Sequence, residues 1–112
     1  SMNITSETHL AAVVLKLDGE FTADVADQFS REVKEILQSS KSNFIIDCQS
    51  MQLVDSVGLE LLLWLSDELN RNGQKLRFTN VPETVKCVFE LTRLSRVFNV
   101  HDNVESAARS FA

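Results

Sequence analysis

The chain has 112 residues, 44% of them apolar and 24% charged, and a formal net charge of −5. That length suits one domain spanning residues 1–112, large enough to bury a core without a disulfide or metal staple. The acidic balance and the scattered Lys and Arg argue against a nucleic-acid binder, and no apolar run approaches the roughly 20 residues of a membrane span.

Ser1 before Met2 reads as a cloning scar. Asn3 to Glu7 is expected to add a short extra strand. Ala11 to Leu17 is β-rich, with Val13, Leu15 and Leu17 alternating against Val14 and Lys16, and Asp18-Gly19 is expected to end it. Thr22 is then placed to cap a helix, with Asp24 and Asp27 in its first turns favouring the dipole. Val25, Phe29, Val33, Ile36 and Leu37 recur at helical spacing and define its buried stripe. Phe44 to Cys48 has no polar face until its end, which predicts a central strand covered on both sides.

Leu53-Val54 leads into Asp55-Ser56-Val57-Gly58-Leu59, a turn that opens a second helix. Leu59, Leu62, Leu63 and Leu69 form that helix's main stripe. Leu61, Trp64 and Leu65 widen it, so burial over much of its circumference is expected, Trp64 included. Asn72-Gly73 stops it. Lys75 to Thr79 reads as a strand, Pro82 opens a helix carrying Val85, Val88 and Phe89, and Arg96 to Val100 reads as an edge strand. Val104, Ala107, Ala108 and Phe111 make a last amphipathic element. Strands alternating with helices predict an α/β fold, a mostly parallel sheet of four to five strands with about four helices.

Cys48 and Cys87 are read as buried free thiols, since no CxxC spacing exists and His9 and His101 complete no zinc pattern. No metal and no cofactor are expected. Reduced cysteines and the lack of a secretory leader pattern give an expectation of a cytoplasmic protein.

The chemistry of the Asp55–Leu59 turn centres on Ser56. A hydroxyl at a helix N-terminus sits where backbone N–H groups lack partners and negative charge is favoured, so a phosphate there is locally tolerated. The plainer reading is that Ser56 caps the helix through its Oγ. Gly58 marks a close backbone approach or an unusual turn. A serine nucleophile is not supported: Val54-Asp55-Ser56-Val57-Gly58 lacks the first glycine of the G-x-S-x-G elbow, and neither histidine is evidently near. The chain is therefore read as a binding protein rather than an enzyme.

Three segments resemble the STAS domain family, and within it the stand-alone bacterial anti-sigma factor antagonists. They are Gly19-Glu20-Phe21, the strand Phe44–Cys48 with Val54-Asp55-Ser56-Val57-Gly58-Leu59, and the helix and turn Val85–Leu94. The resemblance implies that Ser56 is phosphorylated by a serine kinase that is also an anti-sigma factor. It implies that the unmodified form binds this kinase, that phosphorylation releases it, and that a serine phosphatase resets the cycle. It implies a STAS-like monomer whose partner contacts include Glu20, Thr22, Asp55, Ser56, Val57, Gly58 and Leu59, with Asp55 orienting the hydroxyl or meeting kinase-bound metal. The chain departs from the pattern at Val57, where a second Ser or Thr is usual, at Thr22, where many antagonists carry Asp, and at Arg93, where Gly is common. The same resemblance leaves a second assignment open, a STAS subunit of a lipid-transport ATPase or of another signalling complex with no phospho-switch.

Overall fold

In the computed structural model, which describes residues 2–112, β2 (Ala12–Phe21) organises the sheet. Strand β1 (Met2–His9) pairs it antiparallel along its length. On β2, Val13–Lys16 pair in parallel with β3 (Phe44–Asp47), and Gly19–Phe21 pair in parallel with β4 (Met51–Val54). Beyond β3 lie β5 (Leu76–Thr79) and β6 (Asn99–His101), both parallel. The helices are α1 (Ala26–Ser39), α2 (Ser56–Arg71), α3 (Glu83–Leu91) and α4 (Val104–Arg109).

The period-2 pattern of β2 and β3 sorts their side chains onto two faces. Val13, Leu15, Leu17, Phe44 and Ile46 join Phe29 and Val33 of α1, Leu62, Leu65 and Leu69 of α2, and Val85 and Phe89 of α3 in the main core. Val14 and Ile45 pack the opposite face against Ala107 and Ala108 of α4. Strand β3 is thus central and covered on both sides, as its unbroken apolar run predicts.

Six strands form rather than four to five, and the differences have physical causes. Asp18-Gly19 does not end β2. Gly19 adopts φ 124° and the register shifts there, so it is a bulge inside a continuing strand. The bulge lets β2 leave β3 and pick up β4, which the sequence shows only as the lead-in Leu53-Val54. The last strand is Asn99–His101, because Leu94–Arg96 coils into a 3₁₀ turn. That turn begins at Arg93, held at φ 64°, the left-handed region where glycine sits without strain.

Two burial expectations are also corrected. Cys87 is exposed, because it lies off the Val85–Phe89 stripe; Cys48 is buried, and that burial pushes its thiol strongly up. Trp64 is only partly buried, for α1 covers it incompletely and Lys34 Nζ lies 5.8 Å from its ring centroid.

Candidate functional site

The site forms where β4 runs into α2. Pairing of Glu20 with Leu53 and of Phe21 with Val54 sets the end of β2 beside the Asp55–Leu59 turn. The Asp55 N–H donates to the Phe21 carbonyl at 3.2 Å, which pins the turn to that strand.

Asp55, not Ser56, is the N-cap of α2. Its Oδ1 accepts from the Gly58 N–H at 2.9 Å, and its Oδ2 accepts from the Ala23 N–H at 3.0 Å. One carboxylate therefore caps two elements, α2 and the 3₁₀ turn Ala23–Val25 that precedes α1. Both oxygens meet orphan backbone donors, the arrangement that makes an N-cap effective. These bonds, that from Gly58 first and that from Ala23 next, hold the Asp55 carboxyl below the usual carboxylate range against the opposing effect of desolvation.

Two expectations about caps fall with this geometry. Thr22 occupies the position before Ala23, yet its side chain makes no capping bond; Asp55 reaches across from another element and takes that donor. Ser56 stands at the first helical position, one residue past the cap. Its side chain is exposed, and its Oγ makes no hydrogen bond among the described residues. The capping reading of Ser56 is therefore replaced by a free hydroxyl at the positive end of a helix.

Gly58 is the close approach predicted for it. A Cβ there would lie 2.4 Å from the Phe21 carbonyl oxygen and 2.9 Å from Val54 Cγ2. Only glycine lets the first turn of α2 sit this near β2. Gly58 is buried and Leu59 is partly buried against the core, whereas Glu20 and Ser56 are exposed and Thr22 and Val57 partly so. The fold gathers these positions along one rim. It adds one that the sequence reading passed over, Leu53, a large apolar side chain 41% exposed on β4. No periodicity flags it, because β4 does not alternate: Gln52 and Leu53 are both exposed.

Among the described residues no cluster of three or more His, Cys, Asp or Glu is arranged to hold a metal, and no helix is long and apolar enough to cross a membrane. His9 and His101 lie on β1 and β6, away from the turn in sequence and in strand order.

Comparison with known proteins agrees with this architecture. The family model for the STAS domain matches residues 3–107. The anti-sigma F factor antagonist of Paenibacillus polymyxa is 21% identical over 108 residues, covering 96% of this chain and 92% of that protein. The crystal structure of an anti-sigma factor antagonist from Mycobacterium paratuberculosis superposes with a TM-score of 0.86 at 19% identity, covering 98% of this chain and 93% of that one. The Bacillus cell fate determinant SpoIIAA in its phosphorylated form superposes with a TM-score of 0.71 at 20% identity, covering 98% and 99%.

Proposed function

This chain belongs to the STAS domain family, and we propose that it acts as a phospho-switched binding protein of the anti-sigma factor antagonist type. The unmodified form binds a serine kinase that is itself an anti-sigma factor. Phosphorylation of Ser56 releases that partner, and a serine phosphatase restores the binding form. The protein works in the cytoplasm as a monomer and carries out no catalysis of its own.

The observation that supports this most is the division of labour at the start of α2. Asp55 takes the Gly58 and Ala23 N–H groups, so the Ser56 hydroxyl is not needed as a cap, and it stands exposed at a helix N-terminus, where an anion is tolerated. In the transfer step the Ser56 Oγ attacks the γ-phosphorus of the kinase's nucleoside triphosphate. The bond from that phosphorus to the diphosphate breaks, and the hydroxyl proton passes to a base on the kinase.

Release follows from charge. A phosphate adds about −1.5 to −2 charges at pH 7, beside an Asp55 carboxylate already held ionised. A partner that buries the neutral hydroxyl must then desolvate two adjacent anions. Burying an unpaired charge costs several kcal/mol, while about 1.4 kcal/mol is tenfold in affinity.

The test is an affinity capture from native lysate with wild-type, Ser56→Ala and Ser56→Asp baits, read by mass spectrometry. Capture of a small serine kinase by wild type and Ser56→Ala, lost with Ser56→Asp, is the expected result. A transporter ATPase held equally by all three overturns it in favour of the transporter-subunit assignment.

A further inference from the structure

The two edges of the sheet are dressed differently. Strand β1 closes one side, and its exposed positions are the polar Asn3, Thr5, Ser6, Glu7 and Thr8. Strand β6 closes the other and pairs only with β5, so its outer backbone groups have no strand partner among the described residues. Two of the five exposed large apolar side chains lie on it or next to it in the hollows along this edge: Val97 at 49% and Val100 at 39%.

Charge gathers there too. In a chain of net charge −5, five of the eleven Lys and Arg lie on or next to this edge, although Arg77 is already engaged, its Nε donating to Ser110 Oγ at 3.3 Å and its guanidinium standing over the Phe111 ring. Arg93 and Arg96 are exposed on the turn leading into β6, and neither joins an ion pair among the described residues. Lys75 and Arg77 line a hollow of about 220 Å³ with Val97 and Asn99. Lys86 lines another of about 370 Å³, with Phe89 and Phe98 below and Val100 at the strand. The opposing carboxylates are Glu90 in the second hollow, Glu83 at 3.8 Å from Lys86, and Asp102 just past the strand.

We propose that the outer edge of β6 is a second docking site, which takes an extended acidic segment of a partner protein as an added strand. Main-chain groups of β6 supply the pairing, and alternate side chains of the guest select it. Apolar guest residues enter the hollow floored by Phe89 and Phe98, and acidic ones meet Arg93 and Arg96. An open edge is normally blunted by charge or shortness. Here the strand is short enough to resist chain-on-chain stacking, yet its cations suit an anionic guest. The site is separate from Ser56, which follows β4 on the β2 side of the sheet.

The experiment is a fluorescence-anisotropy titration of the full chain with a labelled peptide alternating Glu and Val, against a control peptide alternating Lys and Val. Amide chemical-shift mapping is run on the same complex. The Glu peptide should bind and the Lys peptide should not, with shifts concentrated at residues 97–101. The double variant R93E/R96E should bind it at least about tenfold more weakly with an unchanged circular dichroism spectrum. S56D should bind the peptide as wild type does, so the outcome is independent of the phospho-switch. Equal binding of both peptides, no binding, shifts centred elsewhere, or a concentration-dependent dimer of this chain occupying the edge would overturn the proposal.

Discussion

Two serines sit at the starts of two helices, and the fold treats them in opposite ways. At α4, Asn103 Oδ1 accepts from the Ser106 N–H at 2.8 Å, and the Ser106 hydroxyl turns back to the Asn103 backbone, accepting from its N–H at 3.4 Å and donating to its carbonyl at 3.0 Å. That hydroxyl is consumed in a capping box. At α2 the carboxylate of Asp55 does the whole capping job, and the Ser56 hydroxyl has no structural duty. A serine left idle at a helix N-terminus, on a rim built by a bulge, a short strand and a buried glycine, is available to a partner or a kinase. Both N-caps accept from the N–H three residues on, so position separates the two serines: Ser106 is the third helical residue, whose side chain reaches back to the cap, whereas Ser56 is the first and a glycine holds the third place.

Substitutions at the two helix starts separate these roles, beginning with the frame of the α2 turn. Gly58→Ala gains about 1 kcal/mol of helix propensity, but its Cβ would meet the Phe21 carbonyl at 2.4 Å. Backbone cannot move aside as a side-chain tip can. Overpacking of about 3 kcal/mol wins, and urea unfolding should show a net loss of about 2 kcal/mol. A neutral result would mean that α2 does not sit this close to β2.

Asp55→Ala removes two caps at once and should lower the melting temperature by roughly 10 °C. It should also change the acid limb of the stability curve. The folded-state carboxyl titrates below its unfolded value. Its contribution is therefore complete above the ordinary Asp range of about pH 4 and disappears as pH falls through the lower folded value. Wild type should lose its advantage over Asp55→Ala across that acid window; a gap that persists at the lowest pH would show that the capping account is wrong.

Ser106→Ala removes half of a capping box and should cost about 0.5–1 kcal/mol. Ser56→Ala should fall within about 0.5 kcal/mol of wild type, the range for an unbonded surface group. Thermal melts of the two variants side by side give the sharpest form of the contrast. If Ser56→Ala costs as much as Ser106→Ala, then the Ser56 hydroxyl is structural after all.

Much of this was legible in the chain. The helical stripe Val25–Leu37, the unbroken apolar strand at Phe44, the Asn72-Gly73 stop and the Pro82 helix start each follow from local chemistry. Gly58 announced either a close approach or an unusual turn, and the 2.4 Å from its would-be Cβ to the Phe21 carbonyl oxygen selects the first. Most of what stayed hidden depends on contacts distant in sequence. Gly19 looks like a terminator until β4 is seen to pair beyond the bulge. Thr22 looks like a cap until Asp55 bonds to Ala23, a residue 32 positions away; Ser56 loses that role to a local bond, from the Gly58 N–H to the Asp55 carboxylate three residues back. Cys87 and Trp64 fall at the margins of their stripes, where the burial of a side chain depends on the neighbouring helix rather than on spacing.

Phosphopeptide mapping of the protein isolated from its native cells through growth and stress tests directly whether Ser56 is the switch. Phosphate is expected on Ser56 and not on Ser106, with a phosphorylated fraction that no longer co-purifies with a kinase. A Ser56 that is never modified, or a phosphorylated form that keeps its partner, would contradict that role.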